Sequence, residues 1–338
     1  MDIPKVLSDE WRKLYDAAME FKTLKPWNWM SSADLFAVKN PEDGEVAYCS
    51  IMGELGQVYA LAAYIGSEGL DSYLAIQSGM YEGNPEAMHV QKCLMASFEN
   101  REYLDKQDLK VIKDIGYKFR GKNEWPAFRT FEPGYFPWFL NSYQVRFLTV
   151  ILHQAMEVAL ECKDNPHFLM NNETECLIRV PEENNGNLTW KNEIIELKVE
   201  GKPVMVPIYD NEIKLKRLKK QAKSKQGLWA VDWFYSPQPV AEGDRPYYPA
   251  VVVVIEGQTG QVIGFDISTK DEYLEKIQDK FIETMENLKI IPKTIYVEKQ
   301  DVLLALEDIT KPLNIEVILT DDTDLFNDVK YGMYEFFL

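Results

Sequence analysis

Histidine, cysteine and phosphate-cradling loops are scarce in this chain of 338 residues, and each shortage removes a class of chemistry. The three histidines are His89, His153 and His167, and no two share a helical face, so a histidine-based zinc site is not expected. His153 lies in the helical pattern FLTVILHQAMEVALE, where a packed histidine is ordinary. The four cysteines, Cys49, Cys93, Cys162 and Cys176, never fall at C-x-x-C spacing, and each sits among apolar residues. They read as buried structural thiols rather than a metal or redox pair. The glycine-bounded stretch GELGQV (53–58) lacks the lysine and serine of a phosphate-binding loop, and no serine sits in a nucleophile elbow. No cofactor is implied. Long apolar runs are missing too: AVVVVI (250–255) suits a buried strand and falls far short of the roughly 20 residues of a membrane span. The start, MDIPKVLSDEW, lacks the basic and apolar regions of a signal peptide. A cytoplasmic protein with no membrane partner is expected.

Positive charge is also short, at 37 basic against 54 acidic side chains, a formal net charge of −17. Yet IKLKRLKKQAKSK (213–225) holds seven basic residues and no acidic one. The residues after it carry 21 acidic and 9 basic side chains, net −12, and those before it also sum to −12. Two acidic bodies therefore flank one basic island. Acidic bodies repel nucleic-acid phosphates and anionic lipid, which weighs against a polyanion as partner and leaves a protein or small molecule. On a helical wheel Leu215, Leu218 and Ala222 share a face. The island thus reads as a linker helix that docks by an apolar seam and by charge, with Asp210 as a cap.

A hydrophobic fraction of 46% and an aromatic fraction of 12% are those of a folded globular chain, and the length calls for two domains. The expected class is α+β, with mixed sheets, hairpins and packed helices. Residues 1–170 read as an N-terminal α+β domain, 171–226 as connecting strands and the basic linker helix, and 227–338 as a C-terminal α/β domain. In the last, LWAVDWFY (228–235), a hairpin over 248–268, a helix over 270–288, KTIYVEK (293–299), a helix over 301–313, NIEVILT (314–320) and a closing helix follow one another. The N-terminal half gives the same opening order, and its hairpin turns on GELGQV as the second turns on GQTGQV (257–262). That half reads either as a divergent repeat of the C-terminal domain or as a coincidence of glycine-bounded turns, which are common between strands.

The stretches PWNWM, DLFAV, YCSIMG, SEGL and above all FRGKNEWPAFRTFEPGYFPW (119–138) resemble a family of bacterial proteins in which one domain of unknown function precedes another. The C-terminal order is similar to the ribonuclease H-like fold of nucleases and integrases. That resemblance implies carboxylates on the first strand, after the fourth and on the last helix, because two divalent cations clamped between attacking and leaving oxygens need hard oxygen ligands. Asp232, Glu298 and either Asp324 or Asp328 stand at those places, with Asp34 and Glu99 at matching points of the N-terminal half. Glu298 departs from the usual aspartate, and KQD after it lacks small neighbours. Asp321 and Asp322 also suit a plain helix N-terminus. The leading expectation is a non-catalytic binding or interaction protein with no metal; a metal-dependent nuclease or nucleic-acid-processing enzyme is the alternative. Arginine beside aromatic rings in 119–138 makes Arg120, Trp125, Arg129, Tyr135 and Trp138 the ligand-binding candidates, against a plainer reading as a proline-fixed loop wedged into the core.

Overall fold

A computed structural model describes residues 6–81, 85–169, 174–184, 186–198 and 205–337. The chain divides into two compact units, Met1–Pro133 with Pro137–Lys202, and Gly134–Phe136 with Pro203–Leu338. Both are α+β.

In the first unit, α1 (Ser8–Leu24) leads to β1 (Phe36–Lys39), β2 (Val46–Met52), β3 (Ala60–Ile65), α2 (Gly66–Gln77), β4 (Cys93–Glu99), α3 (Lys106–Asp114), β5 (Trp125–Phe131), α4 (Ser142–Asp164), β6 (Glu175–Asn184) and β7 (Asn187–Glu196). They form one seven-stranded sheet ordered β5-β4-β3-β2-β1-β6-β7. Side-chain alternation along each strand serves two cores. Phe36, Val38, Cys49, Ile51, Leu61 and Ala63 pack with Phe21 of α1 and Leu148 and Ile151 of α4. Ala37, Tyr48, Ala62 and Tyr64 face Leu70 and Tyr73 of α2 on the other side. A strand buried on both faces reads as a nearly continuous apolar run, and VAYCSIM and ALAAYI are such runs.

The second unit holds α5 (Glu212–Gln221), β8 (Ser224–Lys225), β9 (Leu228–Tyr235), β10 (Ala250–Glu256), β11 (Val262–Ser268), α6 (Tyr273–Leu288), β12 (Ile290–Ile291), β13 (Thr294–Val297), α7 (Gln300–Leu313), β14 (Glu316–Leu319) and α8 (Asp324–Phe337). Its five-stranded sheet is ordered β11-β10-β9-β13-β14. Strand β10 runs antiparallel to β9 and β11, while β13 pairs parallel with β9 and β14 parallel with β13. Numbered within the unit, that order is 3-2-1-4-5 with only the second strand reversed, the ribonuclease H-like topology expected from the sequence. Val231, Val252, Val254, Ile295 and Val297 pack under α6 and α7. Ala230, Phe234, Val251, Val253 and Ile255 pack under α8 through Phe326, Val329 and Tyr334.

Three sequence readings differ from this architecture. The first unit does not repeat the second: β4, read as the counterpart of β13, pairs antiparallel with β3 at the outer side of the hairpin, and β6 takes the parallel place beside β1. The strand-helix order was legible, but a fourth strand can join either edge of a three-stranded meander, and local pattern does not choose. The segment 171–226 is not a connector: β6 and β7 form a ten-residue-per-strand hairpin that completes the first sheet, and α5 belongs to the second unit. The stretch 119–138, read as a loop, contains β5, paired with β4 from Cys93↔Phe131 to Glu99↔Trp125.

The basic island is therefore an integral helix. Leu215 and Leu218 of α5 are 5% and 2% exposed in the core under α6 and α7. Arg217 Nη2 lies 3.0 Å and Lys214 Nζ 3.6 Å from the carboxylate of Glu286 on α6. Burial outweighs these ion pairs: a buried leucine contributes about 1.5–3 kcal/mol, an exposed ion pair about 0–1 kcal/mol. Leu218→Ala should destabilise the second unit by about 2–5 kcal/mol, whereas Lys214→Gln and Arg217→Gln, which remove the ion pairs with Glu286, should each change it by about 1 kcal/mol or less. Urea denaturation of the three variants measures both; equal effects would show that charge, not the seam, docks the helix.

Candidate functional site

Strand β9 is central, and its sequence LWAVDWFY places one carboxylate among apolar neighbours. Asp232 shares the face of Ala230 and Phe234, pairs across from Val253 and is 3% exposed. Glu298 follows the end of β13, and Lys299 is the N-cap residue of α7. Since β9 and β13 are parallel neighbours, their C-terminal ends bring these residues together. Lys299 Nζ donates to Asp232 Oδ1 at 2.8 Å and lies 3.4 Å from Glu298 Oε1. It also donates to the Trp233 carbonyl and stands 5.1 Å from the Trp233 ring centroid. On the opposite parity of β9, Trp233 Nε1 donates to Asp301 Oδ2 at 3.1 Å, and the Tyr273 hydroxyl donates to the same oxygen at 2.7 Å. The Trp233 and Tyr273 rings lie 4.2 Å apart.

The electrostatics follow from burial. Desolvation pushes the Asp232 carboxyl up to about 7; the Lys299 ammonium opposes that rise and the Glu298 carboxylate adds to it. The folded chain therefore holds this proton more tightly than the unfolded chain does. The stability it contributes is complete below pH 3.8 and is lost as pH rises toward about 7. The stability difference between wild type and Asp232→Asn should accordingly fall as pH is raised from 4 to 7.5, measured by urea denaturation; a difference independent of pH would contradict this environment for Asp232.

Asp324 and Asp328, proposed from the sequence as further ligands, are exposed on α8. Among the described residues no group of three or more histidine, cysteine, aspartate or glutamate side chains is arranged to hold a metal ion. Asp34 and Glu99 are not a pair either: Asp34 accepts from the backbone and hydroxyl of Ser31, and Glu99 ends β4, three positions along the sheet from β1. The residues present do not fit the two-cation clamp of the fold family, because an ammonium lies against both carboxylates and, among the described residues, no third carboxylate joins them.

The aromatic candidates separate into four places. Arg129 lies 2.8 Å from Asp105 and forms two bonds of 2.7 and 2.9 Å with Asp108, and its guanidinium covers the Phe139 ring at 4.7 Å, so it fastens α3 to β5. Trp138 pairs its backbone with Thr130 and lines a groove of about 620 Å³ with Trp11, Lys106 and Lys110. Tyr135 belongs with the second unit, where Lys270 and Arg245 approach its ring at 4.2 and 4.9 Å. The adjacent Gly134 has φ +76°, and a Cβ there would come within 2.8 Å of the Tyr235 ring. Arg120 and Trp125 line another opening, with Arg101 and Lys122. The sequence reading missed Lys299, Asp301, Tyr273 and Arg101. The KQD after Glu298 carried the signal: a lysine immediately beyond the expected metal carboxylate.

The thiols of Cys49, Cys93, Cys162 and Cys176 are all free and buried, and burial pushes each above its ordinary range, Cys162 to about 11 and Cys176 to about 12. A thiol reagent at pH 7.5 should modify all four rapidly in denaturant and none at a comparable rate in the native protein; fast native labelling of any one would place it in a different environment.

A mixed two-unit α+β protein, with a ribonuclease H-like second unit whose paired carboxylates meet a lysine, is the class these features define. Residues 11–179 match the family model described as a domain of unknown function, DUF7309, and the chain belongs to that family. Residues 214–334 match a second domain of unknown function, DUF6930, in tandem. No curated protein matches the chain. Among solved structures it is similar to the catalytic core domain of HTLV-2 integrase in complex with magnesium, in its trimeric form, at 13% identity over 35% of this chain and 74% of that one, with a TM-score of 0.27. Among the described residues no helix is long and apolar enough to cross a membrane.

Proposed function

We propose that this chain is a non-catalytic binding protein, whose second unit keeps a ribonuclease H-like scaffold without two-metal chemistry. The observation that carries the reading is Lys299 Nζ at 2.8 Å from Asp232 and 3.4 Å from Glu298. A two-cation mechanism needs several carboxylates aimed at one point and held there before metal arrives. Here both carboxylates meet a cation of the protein, and Asp324 and Asp328 of α8 are exposed. The acidic bodies favour a small molecule or a protein as partner over a nucleic acid.

Thermal melting with millimolar magnesium or manganese, against a sodium chloride control, tests this. A cation bound at 100 times its dissociation constant would add about 2.7 kcal/mol per site. No metal-specific shift and no cleavage of DNA or RNA is expected. A rise in melting temperature with either metal, abolished by Asp232→Asn, would overturn the reading in favour of a metal-dependent nuclease.

A further inference from the structure

The opening beside β5 combines three cations with two aromatic rings on a strongly acidic protein. Its shape comes from the sequence FRGKNEW. Gly121 takes φ +108° and Asn123 φ 57°, so the chain reverses tightly before β5. The Asn123 amide donates to Asn100 Oδ1 at 3.0 Å, and Lys22 Nζ donates to the Asn123 carbonyl and pairs with Glu124 at 2.6 Å. The loop is thereby tied down at its base, while Arg120 and Lys122 stand exposed at its mouth. Arg101, from the helical turn Arg101–Tyr103, places its guanidinium 5.8 Å from the Trp125 ring centroid. Phe119 meets the same indole edge-on at 5.8 Å. Together they line an open surface depression of about 640 Å³, with Glu102 the one acidic residue on the lining.

Three basic side chains without an ion pair among the described residues converge on this opening. Lys22, Lys92, Arg129 and Arg146 of the first unit are held in ion pairs with carboxylates. Arg101, Arg120 and Lys122 form no ion pair among the described residues, although the chain carries an excess of 17 negative charges. Two guanidinium groups and an ammonium offer fork and point donors suited to phosphate oxygens. An indole face accepts any planar ring by stacking. The volume lies within the range of small-molecule sites. The surrounding negative charge opposes a long polyanion but not a ligand confined to the opening.

We propose that this opening binds a nucleoside mono- or diphosphate, its base against Trp125 and its phosphate between Arg101, Arg120 and Lys122. The proposal rests on the reading of the chain as a binding protein. The full-length chain, titrated calorimetrically with ADP, adenosine and inorganic phosphate, tests it. ADP should bind more tightly than adenosine or phosphate alone. The double variant Arg120→Gln/Lys122→Gln, altered only at exposed side chains, should weaken ADP binding about tenfold or more. Trp125→Leu should weaken it about tenfold, and Lys219→Gln/Lys220→Gln should leave it unchanged. Absence of ADP binding, binding indifferent to the Arg120/Lys122 variant, or tighter binding of a single-stranded oligonucleotide through the same residues would overturn the proposal. Conversion of ADP to AMP and phosphate, lost in that variant, would support the pocket and overturn the non-catalytic reading, so the two ideas fail separately.

Discussion

The Lys299 ammonium between Asp232 and Glu298 is the contact on which the second unit's character depends. A carboxylate in the interior of a central strand loses its hydration, and the cost of an unpaired buried charge runs to several kcal/mol. Some cation must meet it, or a proton must. The 3-2-1-4-5 strand order makes β9 and β13 parallel neighbours, so whatever follows β13 arrives beside Asp232. In this chain the arriving residues are a glutamate and a lysine. The lysine, at the N-cap position of α7, is close enough to satisfy Asp232 and the Trp233 carbonyl at once. In this chain the topology brings an ion pair to that place.

That pairing is local, and the surrounding network supports it. Asp301 enters in the first turn of α7 and accepts from Trp233 and Tyr273, one residue from β9 and one from α6. Both donors are aromatic, so a single carboxylate fixes two large rings without leaving a polar group unsatisfied. Across the sheet, Phe326, Val329 and Tyr334 of α8 cover Ala230 and Phe234. The helix is held by apolar contact, and its acidic residues are left on the outside. The closing helix thus covers this face of the sheet.

The first unit distributes its charge differently. Arg129 is consumed by Asp105 and Asp108, and its role is to fasten α3 across the strand β5. Arg120 and Lys122, a few residues away in sequence, and Arg101, 28 residues earlier, have no such partners among the described residues. Basic residues close in sequence therefore stand in different surroundings, Arg129 holding the fold together and Arg120 and Lys122 exposed. Composition alone treats them alike.

Periodicity and punctuation were enough to place most elements. The apolar runs of β2, β3 and β10, the 3.6-residue spacing of α4 and α6, and the strand-hairpin-helix order of the second unit are local properties, and the ribonuclease H-like topology followed from them. The buried cysteines were legible for the same reason, since their neighbours are apolar. Four other matters were decided only in three dimensions. Strand β4 joined β3 rather than β1 because edge choice depends on which face each helix must cover. The basic helix α5 was assigned to the second core by Leu215 and Leu218, two residues whose partners on α6 and α7 lie far along the chain. The aromatic segment 119–138, continuous in sequence, divided among four sites because only Trp125 and Arg129 lie on β5, while Arg120 precedes the strand and Tyr135 and Trp138 follow it. Glu298 and Lys299 were adjacent letters whose meaning depended on Asp232, more than sixty residues earlier. Local patterns determine which elements form; the pairing of distant charges and faces is settled by tertiary structure, because only there does each group find the partner its burial requires.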